Sequence, residues 1–278
     1  MVEKFSAEYL IPCYDTDLNM TLKPTAFLNM AQEAANHHAN YLGVGYDTLD
    51  STGQAWVMSR MRVIFDRLPR WREVVNLKSW HKGTSGFMFL RDFILSDSEG
   101  NSLVRATTSW LVIDMATRRL ARRGAFTLLA ADSEKAICED VIETPAAKVV
   151  IPEGATLLRE ADHTASYSDL DMNKHVNNVQ YVVWAMDLVG IEVTAEKQLR
   201  ELEINFNNEV RPNDIVHLSL HLDSETINTW KTGVCRALKQ YIQDGTKTKG
   251  KCPSCGQENM AYQNGCLTCM SCGYSKCG

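Results

Sequence analysis

The chain has 278 residues, 45% hydrophobic and 23% charged, a composition that suits one large globular domain or two modest ones. A formal net charge of −5 excludes a global attraction to nucleic acid, so an acidic protein partner would need a local basic patch. No run of about 18 apolar residues offers a membrane span, and the charged opening MVEKFSAEYLIPCYDTD lacks the apolar core of a secretory leader; a cytoplasmic location is expected.

In chain order, a strand is expected over residues 5–13, then a polar stretch, then a helix over residues 24–41. Pro24 suits the first helical turn. Phe27, Met30, Ala31, Ala34, Ala35 and His38 follow the i, i+3, i+4 rhythm of a buried stripe, and Gly43 and Gly45 end it. The adjacent His37 and His38 face different ways on a helix and read as core-edge or surface residues rather than metal ligands. From residue 54 the period changes to two: Met61, Val63 and Phe65 alternate with Arg60, Arg62 and Asp66. Further strands are expected over 74–81, 87–95 and 102–114, separated by Gly-containing turns. The basic run RRLARR (118–123) follows the last of them. Residues 134–152, with Pro145 and Pro152, read as a connection without regular structure.

The second half repeats the first. Asp169, Asp171, Asn173, Tyr181 and Ala185 align without a gap with Asp15, Asp17, Asn19, Phe27 and Ala31, and His175 stands where the first copy has Thr21. Such a repeat implies two copies of one unit, one of them carrying a working site. In an extended backbone, Asp171, Asn173 and His175 share one side; the alternative is an Asx-rich turn that caps the following helix. Asn177 or Asn178 can cap that helix, expected over 178–189 and apolar almost all round. Strands follow over 199–207, 215–222 and about 227–241, a shorter sheet than that of the first copy.

The stretch SDLDMNKHVNNVQYVVWAMD, with Asp171, Asn173, His175, Val176, Asn177, Asn178, Tyr181 and Trp184, resembles the active-site motif of plant and bacterial acyl-ACP thioesterases. The resemblance implies an α+β architecture, a tandem double hotdog of two helix-wrapped antiparallel sheets, and hydrolysis of acyl-acyl-carrier-protein to free fatty acid. Acyl-CoA hydrolysis on the same fold, or a non-catalytic zinc-bearing binding protein, is the alternative. It carries catalytic roles onto Asp171, Asn173, His175 and Glu209, with no cofactor for catalysis. In plant members a cysteine follows that glutamate; here Val210 stands there, which favours direct attack by water over an acyl-enzyme. Backbone N–H groups near Asn177 are the candidate oxyanion donors, and His175 or Glu209 the base.

Leu202, Ile204 and Phe206 set the buried phase of their strand, so strict alternation puts Glu209 on the opposite face unless a bulge at Asn207-Asn208 re-aims it. Substrate contacts are expected from Asn177, Asn178, Trp56, Met58 and Phe27, with Met30 and Met61 as further tunnel candidates. Docking of the acyl carrier protein is expected at Arg118, Arg119, Arg122 and Arg123, with Arg67, Arg70 and Arg72 as a second cluster.

The last 27 residues hold a separate signal. Cys252-x-x-Cys255 and Cys269-x-x-Cys272 have zinc-ribbon spacing, with Cys266 as a substitute ligand. The closing GCLTCMSCGYSKCG resembles the zinc ribbon of adenosylcobalamin-dependent ribonucleotide reductases, which implies a structural zinc. In GTKTKGK the residue after Lys251 is Cys252 rather than the Ser or Thr of a phosphate loop, and Pro253 bars the helix that should follow, so the stretch reads as a linker. The expected units are an N-terminal hotdog over 1–133, a linker over 134–156, a C-terminal hotdog over 157–244 and a Cys-rich tail over 245–278. The whole is expected as a monomer or homodimer.

Overall fold

The computed structural model describes residues 4–121, 136, 137, 139–222, 234–238, 247, 248, 251–263, 266–272 and 274–277. The first half forms β1 (Phe5–Leu10), α1 (Pro24–Tyr41), α2 (Tyr46–Asp50), β2 (Gln54–Phe65), β3 (Val74–Ser85), β4 (Met88–Asp97), β5 (Ser102–Asp114) and β6 (Arg119–Leu120). Pro24 occupies the first turn of α1, and Phe27, Ala31, Ala34, Ala35 and His38 are buried along one stripe, as the sequence period requires. The strands β1, β3, β4, β5 and β2 lie in that order, antiparallel, and α1 packs on the face lined by Val63, Leu77, Phe93 and Leu95. This is a helix wrapped by a sheet.

The second half repeats it with β7 (Thr156–Thr164), α3 (Asn178–Val189), α4 (Ile191–Glu196), β8 (Glu201–Asn205), β9 (Ile215–Leu222) and β10 (Val234–Leu238). Here the pairing departs from the expectation of two separate sheets. The short strand β8 pairs antiparallel with β2 and so joins the first sheet, while β10, β9 and β7 form a sheet of their own. In the first unit β5 bridges β4 and β2; among the described residues no strand takes that place between β10 and β8. Most of the expected strand over 227–241 lies outside the described residues. Helices α1 and α3 pack against each other, so Val179 and Val182 enter the first core while Trp184 and Leu188 enter the second.

The described part of the connection, residues 136, 137 and 139–155, has no helix or strand, and residues 140–149 lie across the outer face of the first sheet. Lys82 Nζ binds Asp92 at 3.1 Å, Asp140 at 3.0 Å and the Ile142 carbonyl at 2.7 Å, and Val141 N–H donates to Asp92 at 2.8 Å. Arg60 reaches the Ala146 carbonyl, and the Asn205 side chain holds Val149 and Ala147. At the C-terminus β11 (Lys247–Thr248), β12 (Met260–Gln263), β13 (Cys266–Cys269) and β14 (Ser275–Cys277) form a small antiparallel sheet. Among the described residues no helix is long and apolar enough to cross a membrane.

Candidate active site

The stretch expected to be extended is a closed turn. Leu170 and Val176 form a bridge, Asp171 N–H donates to the His175 carbonyl at 2.9 Å, and Lys174 N–H donates to the Asp171 carbonyl at 3.0 Å. The Asp171 carboxylate accepts the Asn173 N–H at 2.8 Å, an Asx turn, and Lys174 takes φ 63°. The Asx-turn alternative is therefore the correct one, because a short carboxylate offers the backbone a local acceptor that outcompetes extension. Asp171 orders the turn through Asn173 rather than gripping the imidazole.

The first copy has the same turn. Thr16 bridges Leu22, Asp17 accepts the Asn19 N–H at 2.9 Å, and Met20 takes φ 57°. There Thr21 donates its hydroxyl to Asp17 at 3.0 Å, and Asn19 Nδ2 donates to the Thr194 carbonyl at 3.2 Å, so both polar groups are spent on structure. Asp169 is a residue the sequence reading aligned but did not weigh. It is buried, accepts from Ser166 N–H, His163 and Trp184 Nε1, and has its backbone carbonyl on Asn177 N–H at 2.8 Å. Burial raises its pKa, but the bonds from Ser166 and His163 outweigh that and hold it below the usual carboxylate range.

Glu209 reaches the turn without a bulge at Asn207-Asn208. β8 ends at Asn205, the last ladder bond runs from Phe206 N–H to the Ser59 carbonyl at 2.8 Å, and the chain then leaves the sheet. Val176 N–H donates to the Val210 carbonyl at 2.9 Å, and Val210 is buried beside Trp184, Leu188 and Val216. With Val210 turned into the core, Glu209 faces the turn. Its Oε2 lies 3.4 Å from His175 Nε2 and is also bound by Arg118 Nη2. Arg118, expected on a free docking face, is thus a partner of Glu209.

A cleft of about 1060 Å³ joins these groups to the first unit. It is lined by Asp171, Asn173, His175, Asn178, Tyr181, Glu209 and Arg118 on one side and by Trp56, Met58, His81, Phe89 and Trp110 on the other. Trp56 donates to the Val44 carbonyl at 2.8 Å and meets Phe89 edge-on, which fixes that wall. Phe27, expected at the substrate, does not line the cleft. It is fully buried against Phe65, because its place in the α1 stripe turns it into the core. Met61 is buried in the same core and Met30 packs against it. Asn177 is the helix cap, its Oδ1 accepting Val179 N–H at 2.9 Å, and is not among the cleft residues.

At the start of α3 the N–H groups of Val176, Asn177 and Gln180 are bound to Val210, Asp169 and Asn177 carbonyls. That leaves Asn178 N–H as the donor at this turn without a partner among the described residues. Tyr181, a member of the repeat and of the motif but given no role from the sequence, has its phenol pushed up to about 12 by burial and so stays neutral.

Arg119 is exposed on β6, and Arg70 and Arg72 are exposed. Arg67 is held by Glu73, and Arg72 stacks over Trp71. Arg122 and Arg123 lie outside the described residues.

Two domain signatures cover this architecture in sequence. The acyl-ACP thioesterase N-terminal domain matches residues 2–123, and the acyl-ACP thioesterase C-terminal domain matches residues 157–259. The chain belongs to the acyl-ACP thioesterase family. It is 30% identical over 247 residues to the palmitoyl-acyl carrier protein thioesterase of Gossypium hirsutum, covering 82% of this chain and 58% of that one. It is 25% identical to the oleoyl-acyl carrier protein thioesterase of Coriandrum sativum, covering 81% and 65% respectively. The chain thus spans about three fifths of the length of these plant relatives. A solved acyl-ACP thioesterase from Bacteroides thetaiotaomicron superposes with a TM-score of 0.68 at 27% identity, over 80% of this chain and 88% of that one. The 12:0-ACP thioesterase of Umbellularia californica, at 22% identity and a TM-score of 0.69 over 79% and 88%, shares the hotdog fold.

The acyl-ACP thioesterase match ends at residue 259, inside the Cys-rich sheet. There the Sγ atoms of Cys252, Cys255, Cys269 and Cys272 all lie within 4.8 Å of one another. The pairs Cys252–Cys272 and Cys255–Cys269 are 3.7 and 3.6 Å apart. Four thiolates at the usual Zn–S length form a tetrahedron with edges of about 3.8 Å, so the four side chains fit one zinc. Within the cluster the backbone N–H groups of Ser271 and Cys272 lower the Cys269 thiol to about 6, whereas bonds among the neighbouring thiols push Cys255 up to about 12. The Cys266 side chain lies outside the described set.

Proposed function

We propose that the chain hydrolyses the thioester of acyl-acyl-carrier-protein and releases free fatty acid, with water as the nucleophile. The observation that carries this reading is the His175–Glu209 pair, 3.4 Å apart and opening on a cleft walled by Trp56, Met58 and Phe89. The plant relatives' names supply the carrier. A water held between His175 and Glu209 loses its proton to one of them as it attacks the carbonyl. Arg118 binds the same Glu209 oxygen, so Glu209 is best suited to orient water and imidazole while His175 takes the proton. The resulting imidazolium then protonates the leaving thiolate. Asn178 N–H and the amide of Asn173 are the donors available to the developing oxyanion. Asp171 acts by holding the turn. Val210 is in the core, which supports water over a cysteine nucleophile at that position.

The Cys252, Cys255, Cys269 and Cys272 set takes a structural zinc, remote in sequence from the hydrolytic groups. The unit boundaries at 133, 156 and 244 and a cytoplasmic location complete the proposal.

The experiment is turnover of a panel of acyl-ACP chain lengths by the full chain, set against the same acyl groups on CoA. Release of free fatty acid from acyl-ACP, abolished in His175→Ala, is the expected result. A preference for acyl-CoA would move the substrate to the alternative carrier, and unchanged turnover in His175→Ala would refute the mechanism.

A further inference from the structure

Of the basic clusters visible in the sequence, Arg118 is the member that lines the cleft among the described residues. Of the positively charged side chains that line it, Arg91 is buried and Arg118 is bound to Glu209. The other two, Lys174 and Arg211, are exposed and make no ion pair among the described residues. Lys174 stands at the positive-φ tip of the turn directly before His175, and Arg211 stands two residues after Glu209. The bond from Val176 N–H to the Val210 carbonyl at 2.9 Å lays these two segments side by side. The two cations therefore flank the catalytic pair on its solvent side. Met172, 75% exposed, lines the cleft on the same turn.

We propose that Lys174, Arg211 and Met172 form the docking rim for the acidic face of the carrier protein, a surface that rests on the hydrolase reading above. The chain as a whole carries −5, so an acidic partner has no global attraction to it and needs local cations left unpaired. A flexible, adaptable apolar side chain beside two point charges matches an acidic amphipathic helix. A free phosphate would instead call for converging donors, and the described rim does not offer them.

The test uses the full chain and the double variant Lys174→Glu/Arg211→Glu. KM for acyl-ACP is expected to rise about tenfold or more, with kcat held within about twofold, because the lost interaction is made equally in ground and transition states. The conservative pair Lys174→Arg/Arg211→Lys is expected to retain the original KM. An equal rise in KM for acyl-CoA would overturn the proposal in favour of a phosphate grip, and an unchanged KM for acyl-ACP would overturn it outright. Direct binding of holo-carrier protein, read by fluorescence anisotropy at two salt concentrations, tests the rim without turnover. Affinity that neither falls in the double variant nor weakens with salt in the original protein overturns it there. Absence of hydrolysis on both thioesters would refute the hydrolase reading and leave the binding result to decide the rim.

Discussion

Glu209 Oε2 is shared between two partners, His175 on one side and Arg118 on the other. Replacing Glu209 by Gln keeps the shape and removes the charge, and kcat on acyl-ACP is expected to fall about 10²–10⁴-fold. Arg118→Ala releases Glu209 from its orientation and is expected to lower kcat about tenfold or more while KM changes little. A docking role would give the reverse split, so steady-state kinetics of one variant separates the two. A second residue governs acid behaviour. Burial, with Arg91 as a lesser cause, lowers His81 from its ordinary value to about 4, and its ring meets the Leu90 carbonyl at 3.0 Å. A depressed folded-state pKa favours the neutral ring, so its contribution is complete above about pH 6.5 and is lost as pH falls toward 4. The loss amounts to about 3 kcal/mol. Thermal midpoints between pH 7.5 and 4.5 are expected to fall less steeply in His81→Gln than in the original protein.

At the scale of elements, the connection between the two units is held by a buried charge. Asp92 is fully buried and bonds both Lys82 and the Val141 N–H. Asp92→Ala leaves the Lys82 ammonium with the more exposed Asp140 as its ionic partner beside the Ile142 carbonyl, and is expected to cost about 3–5 kcal/mol in denaturant unfolding. The double variant Asp92→Leu/Lys82→Met should recover much of it. This staple was not legible in the sequence, since Lys82 there marks a turn and nothing ties it to residue 140. What was legible had a period or a chemical signature: the α1 stripe, the alternation of β2, the gap-free repeat and the Cys-x-x-Cys pairs. The turn at Asp171 defeated the period argument because side-chain-to-backbone bonding carries no repeat. Glu209 defeated it because β8 ends before the glutamate, and its aim is set by Val210 sinking into a core assembled from distant residues. Phe27 was misplaced for a related reason, since a helix stripe tells which residues are buried but not which of them border a cavity.

At the scale of the whole chain, the zinc proposed for the Cys252, Cys255, Cys269 and Cys272 set can be tested apart from the cleft. Metal analysis of the purified protein is expected to give about one zinc per chain, lost together with residues 246–278. Removing the metal is expected to unfold the Cys-rich sheet while leaving acyl-ACP turnover within about twofold. A large loss of turnover on chelation would instead place the tail in the working enzyme.

The pairing of β8 with β2, from Arg60 opposite Asn205 to Ile64 opposite Glu201, has a consequence for how this duplicated chain divides its labour. By chain order β8 is the property of the second unit; by its bonds it is the terminal rung of the first. It also leads to Glu209, so the side of the cleft that holds the His175–Glu209 pair is spliced onto the sheet whose Trp56 and Met58 form the opposite wall. Neither half is a free-standing tool. Residues 157–278 made alone would leave a bare strand edge where β2 belongs, a surface that invites self-association. The shared rung makes a joint that cannot be taken apart, so the first copy, with Thr21 where the second has His175, still holds up the wall that faces it.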